Sequence, residues 1–230
     1  QISEQILLDG GHFERSPMYH IIILEDFLDL INLLRFYPNA VEKGHLERYG
    51  AVANKMLKWL EGMCHPDKEI AFFNDTAIGI TPAPTEIIEY AKRLNLCPNM
   101  SVRPRRRLSV EHFLESGYIR LRGDNVAVLL DVAPIGPDYL PGHSHADTLS
   151  FEMSLFGERV FVNGGTSCYG VGELRLKERG TGAHNTVQID NRDSSEVWSG
   201  FRVARRANPL DLSINKASSS ITVKCAHDGY

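Results

Sequence analysis

The sequence predicts an α+β chain, helical over residues 1–100 and made of antiparallel strands over 101–230. Two observations carry that division. Apolar residues recur at helical spacing through the first part, and from Glu111 onward the period falls to two. Between the two regimes lies Cys97-Pro98-Asn99 to Arg107, which holds two prolines and the run Arg103-Pro104-Arg105-Arg106-Arg107. That composition marks a boundary, read either as a solvated linker or as arginines that face a cleft and hold an anionic polymer.

The helices follow in order. Tyr19 to Phe36 sets Ile23, Phe27, Leu30, Ile31 and Leu34 on one stripe. Pro38 ends it, because proline lacks the amide hydrogen and its ring clashes with the preceding turn. Leu46 to Cys64 repeats the pattern with Val52, Met56, Trp59, Leu60 and Met63, and His65-Pro66-Asp67 closes it as a turn. Ile70 to Pro82 is rich in turn formers, with Phe72-Phe73-Asn74-Asp75 as a loop that packs two aromatics. Thr85 is the expected cap of a helix from Glu86 to Leu96. Helix pairs joined by compact loops suit a bundle, a solenoid or a toroid, and no repeat of fixed period stands out.

The strands come next. Tyr118 to Arg122 alternates, Gly123-Asp124-Asn125 is a hairpin turn, and Val126 to Val132 reads as a buried strand. Leu149 to Phe156 and Arg159 to Val162 form a hairpin around Gly157-Glu158. Thr186 to Ile189, Phe201 to Arg205 and Ser219 to Cys225 supply further strands. Short strands with turns between them and little helical pattern predict an antiparallel β-sandwich.

Composition bounds the function. A net charge of −4 and a pI near 6.1 exclude general nucleic-acid binding, which needs a basic face, but leave room for a local arginine cluster on an acidic sugar. Four cysteines without CxxC spacing argue against zinc knuckles and thioredoxin-like chemistry. No run approaches the length of a membrane span, since Ile21 to Leu24 is broken by Glu25 and Asp26. No signal peptide is read at Gln1. Both ends enter or leave in mid-pattern, so a fragment of a longer protein is expected, with any targeting signal outside it.

Two stretches hold the chemistry. In Gly142-His143-Ser144-His145-Ala146-Asp147, histidines two apart share a strand face. They can converge on one metal with His184 and an oxygen from Asn163 or Asp147, or divide between ligation and acid–base work, or be hydrogen-bonded residues at a sheet edge. In Asp9-Gly10-Gly11-His12-Phe13-Glu14-Arg15-Ser16-Pro17-Met18-Tyr19-His20, Ser16 and Pro17 read as a helix entry. That entry leaves Glu14, Tyr19 and His20 unexplained. A phenol can exchange protons if its surroundings tune it.

Together with Phe73-Asn74-Asp75-Thr76-Ala77-Ile78-Gly79, Asn163-Gly164-Gly165-Thr166 and Ala183-His184-Asn185-Thr186, these motifs resemble the heparinase II/III-like polysaccharide lyases over nearly the whole chain. The resemblance implies the C-terminal part of an incomplete (α/α) toroid over 1–100, followed by an antiparallel β-sandwich over 101–230. It implies β-elimination on a uronate-containing acidic polysaccharide. A group neutralises the uronate carboxylate, a base removes the C5 proton, and an acid protonates the leaving oxygen. Tyr19 resembles the toroid tyrosine that serves as acid and base, and His143 resembles the sandwich histidine proposed as base. Tyr169 resembles a tyrosine of the alginate-lyase branch, or is a sandwich-edge aromatic. Glu14, His20, Arg105 and Arg179 are expected to bind substrate. His145, Asn163 and His184 match metal positions, usually zinc; relatives have Asp where Asn163 stands, and an amide is the weaker ligand. Zinc here is expected to be structural, orienting the loop of His143. The carboxylate neutraliser is expected upstream of Asp9, outside this chain.

Two other readings compete. One is a non-catalytic glycan-binding protein that keeps the lyase fold. The other is a metal-dependent hydrolase using His143, His145 and His184, weakened by the lack of an accompanying nucleophile or HExxH base. A periplasmic or secreted location is expected, and the sequence assigns no oligomeric state.

Overall fold

A computed structural model describes residues 2–40, 42, 44–96 and 108–230. The arginine-rich boundary, with Arg105 and Cys97, lies outside the described residues. The described chain is α+β. Helices α1 (Ile2–Gln5), α2 (Pro17–Phe36), α3 (His45–Gly62) and α4 (Pro84–Arg93) precede the strands, and one further helix, α5 (Glu173–Arg179), lies among them. No helix among the described residues is long and apolar enough to cross a membrane.

Helix α2 starts where its residues dictate. The Ser16 hydroxyl accepts the Tyr19 N–H at 3.3 Å, and Pro17, which has no N–H to satisfy, takes the first helical position. Ile21, Leu24, Leu28 and Ile31 then fall on one face and are fully buried against Ala53, Met56, Leu57 and Leu60 of α3 and Ile87 and Ala91 of α4. Helix α4 begins before the expected Thr85. Pro84 sets the first turn, and the Ala83 N–H donates to the Glu86 carboxylate at 2.8 Å, so Thr85 lies inside the helix.

Strands β1 (Ser109–Phe113), β2 (Tyr118–Arg122), β3 (Val126–Asp131), β4 (Phe151–Leu155) and β5 (Glu158–Phe161) form one antiparallel meander, each hydrogen-bonded to the next. A second core joins this sheet to α3 through Trp59, Met63, Phe73, Phe113, Tyr118 and Leu129. Contact there is close enough to require glycine. A Cβ on Gly62 would lie 2.2 Å from the Phe113 ring. The joint has polar pins as well. Trp59 Nε1 donates to Ser116 Oγ at 2.8 Å, and Ser116 donates from both N and Oγ to Asp9 at 2.7 and 2.9 Å. Buried Arg120 donates to the Gly62 carbonyl at 2.8 Å, placing a cation at the negative end of α3.

Two hairpins follow, β6 (Val197–Trp198) with β7 (Arg202–Val203) and β8 (Pro209–Lys216) with β9 (Ile221–His227). The strand expected at Thr186 to Ile189 is not formed. Thr186 Oγ1 instead donates to the Thr148 carbonyl at 3.0 Å, and only a single bridge, Ile189 to Arg192, pairs there. Of Phe201 to Arg205, only Arg202–Val203 is a strand. Neither α5 nor β8 was expected. Helix α5 is seven residues of mixed charge, too short and too polar to display a helical apolar stripe.

Candidate active site

The site is organised by the loop between α3 and α4. Asn74 takes the left-handed conformation (φ 55°), which turns the chain sharply. Its side chain is fully used: Nδ2 donates to the Arg15 carbonyl (3.1 Å) and to Tyr118 Oη (3.2 Å), and Oδ1 accepts the His145 N–H (3.2 Å). The turn fixes Asp75, which is wholly buried. Ser16, the cap of α2, donates to the Asp75 carbonyl at 2.6 Å, and the Asp75 N–H donates to the His143 carbonyl at 3.0 Å.

The Asp75 carboxylate is shared by three side chains. Oδ2 lies 2.9 Å from His143 Nδ1 and Oδ1 lies 2.8 Å from His145 Nε2. The buried Arg175 guanidinium grips both oxygens, with Nη2 2.6 Å from Oδ2 and Nη1 on Oδ1. Burial alone would raise this carboxyl. The hydrogen bonds from His143, His145 and Arg175 outweigh it and hold Asp75 well below the ordinary carboxylate range. Arg175 Nη1 also donates to Thr166 Oγ1 at 3.0 Å, and Nε donates to the Gly200 carbonyl at 3.0 Å.

Above this buried layer sit the rings that meet solvent. Tyr19 packs on His143 with centroids 4.0 Å apart, and its hydroxyl is 2.9 Å from that of Tyr169. Tyr169 stacks on Phe201 at 5.9 Å, and Arg175 lies under both rings at 5.3 and 5.5 Å. Burial raises the Tyr19 phenol, opposed by the Tyr169 hydrogen bond. Burial raises Tyr169 further, and its bond to Tyr19 adds to the rise. Both phenols are therefore protonated at neutral pH, and either hydroxyl can donate to the other. Glu14 is 12 % exposed at the edge of the cluster, and burial raises its carboxyl against the opposing charge of His143. Neighbouring His12 is held down to about 4 by burial and then by His143, so the 3.8 Å approach of Glu14 to His12 is not an ion pair at neutral pH.

Two of the expected substrate-binding residues are corrected. His20 is completely buried: Nδ1 accepts the His12 N–H at 3.2 Å, Nε2 lies 3.0 Å from the Met56 carbonyl, and the ring packs on Trp59. It is a core residue between α2 and α3. Arg179 is also fully buried, donating from Nε to the Ser144 carbonyl at 3.0 Å and, more weakly, to Ser199 and Arg202. It braces the His143–His145 stretch from behind and cannot touch a glycan. Arg105 lies outside the described residues.

Of the expected metal positions, His145 and His184 lie side by side. The His145 and His184 rings face each other with centroids 5.2 Å apart. His145 Nδ1 and both nitrogens of His184 are buried without a well-formed hydrogen bond. Burial lowers both imidazoles, in His184 well below the usual range, so their lone pairs are available at neutral pH. Zinc bonds imidazole nitrogen at about 2.0–2.1 Å, which with roughly 1.2 Å to each ring centre sets two imidazoles on a tetrahedral ion about 5.2 Å apart. The observed centre-to-centre distance has that value. His145 also carries the carboxylate partner that zinc-bound histidines usually have, through Nε2 to Asp75. Among the described residues no three of His, Cys, Asp and Glu group as metal ligands, so the third donor would be neutral. Asn163, the expected third donor, spends Oδ1 on the N–H of Asn185, the residue after His184, at 3.1 Å.

Asp75, Arg175 and Phe201 were missing from the sequence reading. Asp75 lay inside a quoted motif, and its role becomes visible only when three residues 68 to 100 positions away are seen to converge on it.

A helical half and an antiparallel half meeting around a buried Asp–His–Arg cluster beneath paired tyrosines define a known class. The heparinase II/III N-terminal family model matches residues 1–99, and the heparinase II/III-like C-terminal model matches residues 105–230. The chain belongs to the heparinase II/III-like family. It is 25 % identical over 214 residues to a heparin-sulfate lyase of Bacteroides stercoris, and 24 % identical over 217 residues to one of Pedobacter heparinus. These matches cover 86 % and 84 % of this chain but 31 % of each relative, so the chain spans about a third of their length. The structure aligns over its whole length with a heparan sulfate lyase from Pedobacter heparinus (TM-score 0.69, 20 % identity, 36 % of that chain). It also aligns over its whole length with a heparinase III structure (TM-score 0.74, 18 % identity, 38 % of that chain).

Proposed function

We propose that this chain forms the end of an (α/α) toroid and the start of a β-sandwich in a lyase that cleaves a uronate-containing acidic polysaccharide by β-elimination. The observation that carries this reading is the solvent-facing triad Tyr19, Tyr169 and His143, with the hydroxyls 2.9 Å apart and the imidazole stacked on Tyr19. His143 binds Asp75 through Nδ1, which leaves Nε2 as the base that takes the C5 proton. The electron pair forms the C4–C5 double bond as the C4–oxygen bond breaks. Tyr19, kept protonated by burial, gives its proton to the leaving oxygen. Tyr169 then donates to the Tyr19 phenolate, stabilising charge where it develops. In this reading Tyr19 takes the acid role and His143 the base role. Neutralisation of the uronate carboxylate falls to a residue outside this chain.

The same reading includes zinc on His145 and His184 with Asn163 as a weak third donor. When bound, the ion supplies structural order behind the His143 loop, and no proton moves through it. Cleavage of such a polymer places the protein in the periplasm or outside the cell.

The test is an ultraviolet absorbance screen of the full-length protein, with the neutralising residue present, against a panel of uronate polymers. New absorbance from a 4,5-unsaturated uronate supports the lyase. Reducing ends without absorbance would establish a hydrolase, and retention on a glycan column without either product would establish a binding protein.

A further inference from the structure

Asp75 touches both imidazoles of the His143-Ser144-His145 stretch, and it touches them at different nitrogens. Oδ2 meets His143 at Nδ1 (2.9 Å), whereas Oδ1 meets His145 at Nε2 (2.8 Å). Arg175 binds both oxygens from the buried side, and the side chains of Asp75, His145 and Arg175 are at most 1 % exposed. A carboxylate so gripped by a guanidinium can only accept, so each nitrogen facing it carries the hydrogen. A neutral imidazole has one N–H to give.

We propose that Asp75 is a positioning residue that locks His143 and His145 in opposite tautomers. His143 is protonated on Nδ1 and turns the Nε2 lone pair to the cleft beside Tyr19. His145 is protonated on Nε2 and turns the Nδ1 lone pair to His184. One carboxylate thereby makes one histidine a base and its neighbour a ligand. A sequence of the form His-x-His cannot make that distinction, since both side chains are chemically identical. The loop that carries Asp75 is held by groups from both halves of the chain, Ser16 on its carbonyl and Asn74 on the His145 N–H. The lock is thus part of the joint between helices and sheet. Its catalytic consequence rests on the lyase reading, while the tautomers themselves do not.

Nitrogen-15 correlation spectra of the imidazoles of the unmodified chain test this directly, at about pH 8, above the ordinary imidazole pKa of about 6.5. His143→Gln and His145→Gln identify the two signals by their loss. The expected result is Nδ1–H for His143 and Nε2–H for His145. The same tautomer in both, or Nε2–H in His143, overturns the proposal. Where turnover is measurable, Asp75→Asn is expected to lower kcat at least about 100-fold with KM within about threefold, and to mix the His143 tautomers. Unchanged tautomers in Asp75→Asn would reduce Asp75 to a structural strut. If that variant does not fold, the unmodified spectrum still decides. A full-length protein with the expected tautomers and no unsaturated product would sink the lyase reading and leave this one standing. An active lyase with His143 protonated on Nε2 would do the reverse.

Discussion

Gly165 is the position at which the site's geometry can be probed without reference to activity. It sits in the Asn163–Thr166 turn with φ 60°, and a Cβ built on it would lie 2.1 Å from the Thr76 carbonyl oxygen, next to Asp75. Gly165→Ala therefore has two costs. The left-handed conformation costs a residue with a side chain roughly 1–2 kcal/mol. A carbon forced about 1 Å inside contact distance costs roughly 1–3 kcal/mol more through displaced backbone. The natural escape is to lift the turn from Thr76, which gives up the Thr166 N–H bond to the Thr76 carbonyl (3.0 Å) and loosens Thr166 Oγ1 from Arg175. A loss of about 2–5 kcal/mol is expected, read as a fall of about 4–20 °C in Tm for a chain of this size. Neighbouring Gly164 is the control: a Cβ there meets nothing within 4 Å. Gly164→Ala is expected to stay within about 0.5 kcal/mol of the parent. Circular dichroism melts of the two variants decide, and equal Tm values would refute the claim that this turn is packed against the Asp75 loop.

Other expectations follow from the same geometry. Tyr19→Phe and His143→Ala are each expected to abolish turnover in the polymer assay, Tyr19→Phe with a melt within about 1 kcal/mol of the parent and His143→Ala at a cost of about 1–3 kcal/mol, since it takes a hydrogen bond from buried Asp75; an active Tyr19→Phe protein removes Tyr19 from the mechanism. Asn163→Asp is expected to tighten zinc at least about tenfold by equilibrium dialysis, because a carboxylate replaces a neutral amide, and His184→Ala to abolish binding; indifference to both places the metal elsewhere. His12 and His20, held down by burial to about 4 and about 3, are expected to stay neutral at pH 5 in proton NMR. Below about pH 6.5 the unfolded chain binds protons that these two refuse, so each withdraws up to about 1.4 kcal/mol of stability per pH unit as pH falls. Asp131, raised to about 7 by burial, takes up its proton in the folded chain first and adds stability over the same range. The site-resolved titration is therefore the measurement to make, and a His20 midpoint near 6.5 would contradict the packing described.

The helices were legible because burial on one face imposes a period that survives in sequence. Ser16-Pro17 marked the entry of α2 to the residue. The meander from β2 to β5 was equally open to view through alternation and glycine turns. Helix α5 was not, because its two anchoring residues, Arg175 and Arg179, are buried cations, and a pattern of hydrophobicity reads a buried arginine as surface. The same blindness misassigned His20 and Arg179. Both are polar side chains near the site whose hydrogen bonds all turn inward, and only coordinates reveal the direction in which a polar group points. Tyr19, His143 and Tyr169 were singled out from the motifs and turns around them, and the structure sets the three side by side, whereas Asp75 had a motif but no visible task.

The buried carboxylate has a consequence for how the chain assembles. Asp75 gains Arg175 from 100 residues downstream and His143 from 68 downstream, and Tyr19 meets Tyr169 across 150. Loops of that length close late, after local helices and hairpins have formed. Until His143, His145 and Arg175 arrive, the Asp75 carboxylate lacks the side-chain partners that it has in the folded chain. Docking of the two halves and construction of the site are then a single event. A chain interrupted between Asp75 and Arg175 forms helices but no site, and binding at the tyrosine pair stabilises the joint between the halves as much as it occupies a cleft.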